Sequence, residues 1–310
     1  METVLITGGT GLIGKLLVKA LLERGYSVIV LSRTPAKQDS FSTQLSYAAW
    51  NIEKNMIDIE AIKKANIIIH LAGASVAEKR WTDRRKKEII DSRIKSSALL
   101  VNAIRKYGGN LKAVISTSAI GYYGENDFTK TDQNGFVETD LASTDFLGSV
   151  CKQWEESIDP VSAFVKRLVK FRIGIVLSNE GGAIKEFNKP LKFGLATILG
   201  NGKQIISWIH IDDLVSQFLY AIENEKMSGV YNAVAPNPVS NKELILNLAK
   251  VKRKFFIPFY VPSFILKIIL GEMSTEILKS ATVSSKKTED TGFLFRFPTI
   301  QSAMEKLGGK

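Results

Sequence analysis

The feature that most constrains this chain is a glycine-rich segment close to its N-terminus. Residues 7–14 read TGGTGLIG, with glycines spaced G-x-x-G-x-x-G. A short apolar run, residues 3–7, precedes this segment, and residues 15–24 follow it with apolar side chains at helical spacing. A strand, a glycine turn and a helix in this order are typical of the first unit of a dinucleotide-binding fold.

Each glycine of this turn has a distinct physical role. Gly8 permits the tight turn, Gly11 lets the backbone approach a pyrophosphate, and Gly14 lets the helix pack closely against the strand. Free N–H groups at the start of the following helix then attract phosphate groups. We therefore predict cofactor contacts at the three glycines and at Leu12 and Ile13, which lie between the last two.

The residues that follow the second expected strand, residues 27–31, indicate which dinucleotide binds. Proteins selective for NAD usually place an acidic residue here to hold the ribose hydroxyls. This chain has Ser32 and Arg33 instead. Because a guanidinium binds oxyanions through paired hydrogen bonds, these two residues favour the 2′-phosphate of NADP(H). The alternative is that Arg33 is a solvated loop residue.

Apolar strand patterns alternate with helical patterns through the first half of the chain. Strands are also expected at residues 66–70, 111–116 and 164–171, and helices at residues 57–64, 82–106 and 145–158. The strands are continuous apolar runs, as in sheets that helices cover on both faces. The pattern predicts an α/β fold, a Rossmann doubly wound parallel sheet.

The alternation becomes looser after about residue 175, where glycines are frequent. A short strand is expected at residues 208–210, and helices at residues 213–224, 241–250 and 263–270. We predict an NADP-binding Rossmann domain, residues 1–175, which also receives segments around 205–235. Residues 176–310 are expected to form a smaller, partly interleaved C-terminal substrate-side domain.

The strand expected at residues 66–70 is followed by Leu71, Ala72 and Gly73. Small residues at this point let a cofactor lie close to the backbone, so we predict that these three contact it. His70 ends the strand, and a hydrogen-bonded, partly buried histidine is the favoured interpretation. The chain has two histidines and one cysteine without ligand spacing. We therefore predict no metal site.

Composition limits the partners and the compartment. Lys and Arg number 42 against 31 Asp and Glu, which produces a surface that attracts anions. No motif interleaves aromatic residues with this charge, so a solvated basic surface is favoured over nucleic-acid binding. The single cysteine, Cys151, forms no disulfide framework, and no signal-peptide pattern precedes the first strand. We therefore expect a cytoplasmic protein.

The longest apolar stretch, residues 255–270, is interrupted by two prolines, Ser263 and Lys267. It is too short and too interrupted to span a bilayer. Together with the basic residues 250–254, it suggests surface association with acidic membranes as one hypothesis. The favoured expectation is that the stretch buries its apolar face in the C-terminal domain.

Several further motifs carry a family resemblance. They are LAGA at 71–74, RWT at 80–82, SRI at 92–94, STSAIGYYG at 116–124, CKQWE at 151–155, RIGIVL at 172–177 and WIHIDDL at 208–214. With the glycine turn, they resemble the extended short-chain dehydrogenase/reductase superfamily. The closer resemblance is to its atypical branch of NAD-dependent epimerase/dehydratase-like proteins, over nearly the whole chain.

The resemblance implies several cofactor contacts. Ser32 and Arg33 would meet the adenosine phosphate, and Leu71 and Ala72 the middle of the cofactor. The backbone near Val176 would meet the nicotinamide end. Further contacts are implied for two residues of the long helix, Glu88 and Arg93. From the residues alone, this pair is equally well interpreted as a solvated helix face.

Reductases of this superfamily use a Ser or Thr, a Tyr, and a Lys four residues after the Tyr. The tyrosine passes a proton while the nicotinamide passes a hydride, and the lysine lowers the tyrosine pKa. None of the eight tyrosines here has lysine at that spacing. When the motif is aligned on Glu155, Leu147 and Cys151 occupy the Tyr and Lys positions. Neither is the usual acid, and Cys151 is expected to be a buried, unreactive thiol.

The serine position is retained as Ser118, at the end of the strand expected at residues 111–116. We expect Ser118 to hydrogen-bond a substrate, the alternative being a strand-end serine that caps the turn. Tyr122 and Tyr123 follow in a glycine-flanked loop, where pocket lining is favoured over acid catalysis. Pocket wall and ordinary packing remain equal alternatives for Trp81, Trp208 and His210.

Two functions of different classes follow from these observations. The first is an NADP(H)-dependent oxidoreductase or epimerase-like enzyme that acts on an unidentified small molecule. Ser118 would orient the substrate, and Tyr122 or Tyr123 would move the proton. The second is a non-catalytic NADP(H)-binding sensor or partner protein, suggested by the missing Tyr and Lys pair.

Overall fold

The computed structural model describes residues 1–35, 43–126, 135–252 and 255–309. Its strands are β1 (Thr3–Thr7), β2 (Ser27–Ser32), β3 (Leu45–Asn51), β4 (Met56–Ile57), β5 (Ile67–His70), β6 (Ala113–Ala119), β7 (Leu168–Ile173), β8 (Ile175–Ser178), β9 (Leu195–Leu199), β10 (Ile205–Ile206), β11 (Trp208–His210), β12 (Gly229–Ala233), β13 (Val239–Ser240) and β14 (Ile257–Val261). Its helices are α1 (Leu12–Glu23), α2 (Ile59–Lys64), α3 (Asp83–Tyr107), α4 (Phe146–Ile158), α5 (Gly182–Leu191), α6 (Ile211–Glu223), α7 (Asn241–Val251), α8 (Ser263–Leu270), α9 (Met273–Leu278), α10 (Lys286–Asp290) and α11 (Ile300–Leu307).

The main sheet has the strand order β12-β7-β6-β5-β1-β2-β3-β4, and every pairing except β3 with β4 is parallel. Thr7 at the end of β1 lies opposite both Leu31 and His70, and His70 lies opposite Ser116. The strand order reverses beside β1, and ligands bind at such a reversal, beyond the carboxyl ends of the strands.

Successive side chains of the central strands enter two different cores, because side chains alternate across a sheet. Val4 and Ile6 of β1 pack with α1 and α6, whereas Leu5 packs with α2 and α3 on the opposite face. All three side chains are fully buried. The predicted Rossmann sheet with helices on both faces is therefore confirmed.

A third core lies in the second half of the chain. It joins α5, α7 and α11 around the fully buried Trp208. Small two-stranded pairings accompany it, namely β8 with β11, β9 with β14, and β10 with β13. β12 adds to the main sheet beside β7. The predicted domain boundaries, residues 1–175 and 176–310, remain predictions.

Several element boundaries differ from the expected ones. β6 continues to Ala119, three residues beyond the expected end, so Ser118 is the penultimate residue of the strand. The strand expected from residue 164 begins at Leu168, because a short 3₁₀ helix, Asp159–Ala163, precedes it. β3 was missed because its buried and exposed positions alternate, unlike the apolar runs of its neighbours.

The expectation for the apolar stretch at residues 255–270 was wrong. In α8 only Leu266 is buried, while Phe264 and Ile268 are 62% and 69% exposed. The stretch also contains a strand, β14, whose side chains are largely exposed. In the part of the chain that the structure describes, no helix is long and apolar enough to cross a membrane.

Candidate functional site

The glycine turn connects β1 to α1 through backbone contacts. The Gly11 N–H donates to the Gly8 carbonyl at 3.0 Å, and Gly8 has a φ of +71°. A Cβ on Gly14 would lie 2.3 Å from the Gly8 oxygen, so no larger residue fits without a backbone shift. Gly11 caps α1 without a side-chain hydrogen bond. The first N–H groups of α1 therefore have no side-chain cap, as a phosphate site requires.

A buried hydroxyl fixes the neighbouring loop. Thr7 Oγ1 accepts hydrogen bonds from the backbone N–H groups of Leu71 and Ala72, at 3.1 and 3.2 Å. Its own proton is therefore directed to His70 Nδ1, 2.8 Å away. His70 Nε2 then donates to Ser97 Oγ at 3.2 Å. Burial lowers the pKa of His70 to about 4, so the ring is neutral.

The hydrogen bonds agree with the prediction of a hydrogen-bonded histidine, but the ring is fully buried rather than partly buried. The arrangement also identifies Thr7, which the sequence interpretation did not select. The two N–H groups that Thr7 holds belong to the loop predicted to contact the cofactor, which places that loop against the turn. A Cβ on Gly8 would lie 2.9 Å from the Leu71 carbonyl carbon, so glycine is also required for this approach.

Ser32 and Arg33 lie at the carboxyl end of β2, as predicted. Ser32 is buried and its Oγ accepts from the Thr34 N–H at 3.2 Å. Arg33 is exposed and forms no ion pair with any residue that the structure describes. A cleft of about 340 Å³ lies beside the turn and is lined by Gly9, Thr10, Lys15, Val18 and Tyr47. None of these five residues is among the predicted cofactor contacts.

A second glycine segment approaches the turn from the other half of the chain. A Cβ on Gly181 would lie 3.4 Å from Leu12 Cδ1, and one on Gly182 would lie 3.4 Å from the Val176 oxygen. Leu12 and Val176, two predicted contact residues, therefore lie close to the same loop. The loop was not identified as part of the site, although its paired glycines were visible in the sequence.

Arg93 projects from α3 onto the 71–74 loop. Its Nη1 donates to the Ala74 and Ile89 carbonyls, each at 3.0 Å. A Cβ on Gly73 would lie 3.2 Å from the Arg93 Cζ, and this carbon lies 4.8 Å from the Trp154 ring centroid. Arg93 is therefore held at the site by α3, α4 and the loop, and is not on a solvated face.

Glu88, its predicted companion, is in a different environment. Its side chain is 55% exposed, and it pairs with Arg85 Nη1 at 2.7 Å. The hydrogen bond from Arg85 lowers the pKa of Glu88. This geometry is that of a charged residue on a solvated helix face.

The corner where α4 meets β6 contains the two substituted positions. A Cβ on Gly121 would lie 3.1 Å from the Leu147 Cβ, so Leu147 packs directly on the segment after β6. Burial raises the pKa of Cys151 to about 12, although the positive charge of Arg93 opposes this shift. The buried thiol agrees with the prediction. Ser118 is 2% exposed, and its hydroxyl lies close enough to the Cys151 thiol to lower the pKa of that thiol. By hydrogen-bond geometry, Ser118 Oγ has no partner among the described residues.

The two tyrosines after β6 differ in how their hydroxyls are used. The Tyr123 hydroxyl donates to Asn232 Oδ1 at 2.6 Å and accepts from Arg172 Nη1 at 2.9 Å. Burial raises the pKa of Tyr123 above its usual range. Tyr122 is half-buried, and its ring centroid lies 3.4 Å from the Arg172 Cζ.

Arg172 is in turn held by Glu155. Its Nε and Nη2 donate to the two carboxylate oxygens of Glu155 at 2.8 and 3.0 Å, and both side chains are buried. Burial alone would lower the pKa of Arg172, but the hydrogen bonds that it donates to Glu155 raise it above its ordinary value. Both residues lie in motifs that carried the resemblance, so their presence in the sequence was noted but their pairing was not.

Trp81, Trp208 and His210, for which pocket wall and ordinary packing were equal alternatives, are all buried. Trp81 Nε1 donates to the Val76 carbonyl at 2.8 Å, and Trp208 Nε1 donates to the Asn237 carbonyl at 3.0 Å. His210 Nδ1 accepts from the Asp212 N–H at the start of α6. These contacts account for Trp81 and Trp208, whereas His210 Nε2 is buried without a hydrogen-bond partner among the described residues.

Comparisons with known proteins agree with this arrangement. Residues 4–143 match the NAD dependent epimerase/dehydratase family, and residues 261–307 match a domain of unknown function, DUF1731. An epimerase family protein of Staphylococcus saprophyticus is 37% identical, over 99% of each chain. The crystal structure of human epimerase family protein SDR39U1 with NADPH has a TM-score of 0.83 and 26% identity, covering 100% of both chains.

A nucleoside-diphosphate sugar epimerase from Corynebacterium glutamicum has a TM-score of 0.77 and 28% identity; the match covers 100% of this chain and 59% of that one. The parallel sheet and the glycine turn at its reversal point define a nucleotide-binding protein of the short-chain dehydrogenase/reductase type. The chain belongs to the NAD dependent epimerase/dehydratase family.

Proposed function

We propose that the chain binds NADP(H) on the glycine turn and transfers hydride between this cofactor and a small-molecule substrate. The observation that carries the proposal is the turn itself. The backbone of the turn packs so closely that position 14 must be glycine, and the N-terminus of α1 has no side-chain cap. The pyrophosphate would bind there, where N–H groups and the helix dipole attract anions.

Preference for NADP(H) over NAD(H) rests on Arg33. It is exposed at the end of β2, without an ion-pair partner in the described ranges, and no acidic side chain replaces Ser32 beside it. The NADPH in the human relative's crystal structure supports the same choice. Leu71, Ala72, Gly73, Arg93 and Val176 would line the rest of the cofactor. We leave Glu88 outside this site, because it faces solvent.

The nicotinamide supplies hydride chemistry, and the chain would supply orientation and a proton. Ser118 has a buried hydroxyl with a free hydrogen-bonding capacity, which suits a substrate oxygen. Of the two tyrosines, we assign proton transfer to Tyr122, because the Tyr123 hydroxyl already has two buried partners. Arg93 lies close enough to Cys151 to act on its pKa, so it brings positive charge to the position of the missing lysine.

Cofactor choice is tested by titrating the protein with NADPH and NADH while nicotinamide fluorescence is followed. A hydrogen bond to a charged group is worth about 1.5–3 kcal/mol, so Arg33→Ala should weaken NADPH binding roughly 10- to 100-fold. NADH binding should not change. Arg105→Ala, a change at another exposed arginine, is the control and should alter neither affinity. Equal losses for both cofactors would contradict the assignment of Arg33.

Catalysis is tested by NADPH oxidation against a panel of carbonyl compounds and nucleotide sugars. Ser118→Ala and Tyr122→Phe should abolish turnover of any substrate found while leaving NADPH affinity unchanged. Tyr123→Phe should act mainly on stability, because its hydroxyl belongs to a buried network. Turnover that survives Tyr122→Phe would show that another group moves the proton.

A non-catalytic NADP(H)-binding sensor or partner protein is the second candidate. It is favoured by Leu147, which packs against Gly121 where a catalytic tyrosine would stand. Pull-downs with and without NADPH test it. A set of partners that changes with cofactor, together with no turnover across the panel, would support the sensor over the enzyme.

A further inference from the structure

A group of exposed apolar side chains in the described part of the chain lies far in sequence from the glycine turn. It comprises Phe193, Phe255, Ile257, Phe259, Phe264 and Ile268, which we call the apolar patch. Phe193 and Phe255 are 84% and 85% exposed, and the other four are each at least half exposed. Clusters of large apolar side chains on a soluble surface mark binding sites for proteins, ligands or membranes.

Backbone pairing brings these residues together. β14 pairs with β9, and the Ile257 N–H donates to the Gly194 carbonyl at 2.8 Å, beside Phe193. After Pro262 the chain continues directly into α8, where Phe264 and Ile268 are four residues apart and therefore on one face. The patch is thus a two-stranded ribbon followed by a short helix, with apolar side chains exposed on both.

The charges nearest the patch in sequence are mainly positive. Residues 244–271 include five Lys or Arg and no Asp or Glu, and Glu243 and Glu272 flank this range. Lys192, Lys250 and Lys267 are exposed, and within the described ranges none of them forms an ion pair. A second copy of this chain would bring the same positive charge to the interface, whereas an anionic bilayer offers both hydrocarbon and opposite charge.

We propose that the apolar patch docks this protein on the surface of anionic membranes, with its aromatic and aliphatic side chains in the headgroup region. The flanking lysines add attraction to acidic lipids. The docking is peripheral, since α8 has only eight residues. This inference does not depend on the proposed cofactor chemistry.

The test is co-sedimentation with sucrose-loaded vesicles of phosphatidylcholine containing 30% phosphatidylglycerol, compared with pure phosphatidylcholine. The wild-type chain should sediment with the anionic vesicles, and salt should weaken this binding. Phe264→Glu and Phe255→Glu should each reduce it at least tenfold. Leu294→Glu is the matched control, because Leu294 is 85% exposed but lies outside the patch. Circular dichroism of each variant reports whether it remains folded.

Three results would overturn the proposal. The first is an absence of binding to anionic vesicles by the folded wild-type chain, and the second is an equal loss of binding in the patch variants and in Leu294→Glu. The third is a wild-type dimer in sedimentation velocity that Phe264→Glu dissociates, without vesicle binding. That result would identify the patch as an interface between copies.

Discussion

The glycine turn and the corner between α4 and β6 lie at the same end of the sheet but are stabilised by different means. The turn depends on backbone: Gly14 approaches the Gly8 carbonyl, and α1 begins without a side-chain cap. The corner depends on side chains, above all the buried pair of Glu155 and Arg172. A turn that depends on backbone packing can be recognised in the sequence by its glycines. A side-chain network cannot be recognised in this way, because the sequence does not show which residues are partners.

The same two regions differ in their proposed roles: the turn would bind the cofactor, and the corner would supply the groups for the chemistry. At the turn, the N–H groups and Arg33 remain available to a ligand. At the corner, the Tyr123 hydroxyl and Arg172 are already engaged with each other and with further partners. The buried Ser118 hydroxyl has no hydrogen-bond partner within the described part of the chain, and the same holds for Ser116 Oγ and Trp154 Nε1. Cofactor binding is therefore the better supported half of the proposed function, and four measurements would sharpen or break this division.

The largest effect is expected at the corner. Arg172→Met leaves the Glu155 carboxylate buried with Lys170, 3.8 Å away, as its nearest remaining cation. Breaking a buried pair by removing one partner typically costs about 3–5 kcal/mol. Urea unfolding should show a loss of this size, and the double variant with Glu155→Leu should recover part of it. A loss below about 1 kcal/mol would mean that the pair does not hold the corner together.

The next effect is a pH dependence that belongs to the turn. Burial lowers the pKa of His70 to about 4, while a histidine in an unfolded chain titrates near 6.5. The unfolded chain therefore binds a proton first, and stability that is present above about pH 6.5 is lost as the pH falls towards 4. The loss attributable to His70 is about 3 kcal/mol.

Unfolding curves of the wild type and of His70→Asn, measured at pH 7 and pH 4.5, isolate this contribution. The wild type should lose more stability than the variant between the two values. The pKa of His210 is also lowered by burial, so His210→Asn is the control and should keep the part of the slope that belongs to His70. Parallel curves for wild type and His70→Asn would contradict the neutral, buried ring.

The third effect concerns the backbone of the turn. Gly14→Ala places a Cβ 2.3 Å from the Gly8 oxygen, so the helix must move away from the strand. Such overpacking costs about 1–3 kcal/mol, and NADPH affinity should fall roughly 10- to 100-fold with it. Gly109→Ala, where a Cβ meets nothing within 4 Å, should leave the affinity unchanged. If Gly14→Ala binds NADPH with unaltered affinity, the cofactor does not bind at the glycine turn.

How far the site could be predicted follows the same division. The glycine turn and the parallel sheet were predicted correctly, because glycine spacing and apolar strand runs are local signals. The burial of Cys151 was predicted correctly from the usual behaviour of free cysteines. The hydrogen bond between Thr7 and His70 was not predicted, because the two residues are 63 positions apart in the sequence. The pairing of Glu155 with Arg172 was also not predicted, because α4 and β7 become neighbours only in the folded chain.

The apolar stretch shows the opposite failure. Hydrophobic side chains at residues 255–270 predicted a buried face, because burial is the usual fate of such residues. The third core instead closes around Trp208 with α5, α7 and α11, and it leaves Phe264 exposed. A sequence pattern reports that a face is apolar, and only the fold shows whether another element covers it.

The smallest effect separates two residues that were predicted as a pair. Glu88 is 55% exposed and pairs with Arg85, an arrangement worth about 0–1 kcal/mol at a surface. Glu88→Gln should therefore change NADPH affinity less than twofold, whereas Arg93→Met should weaken it at least tenfold, because Arg93 lies against Gly73. Both affinities are measured by the same fluorescence titration. A large loss for Glu88→Gln would mean that this part of α3 turns towards the cofactor on binding, and the site would then extend one helical turn beyond Arg93.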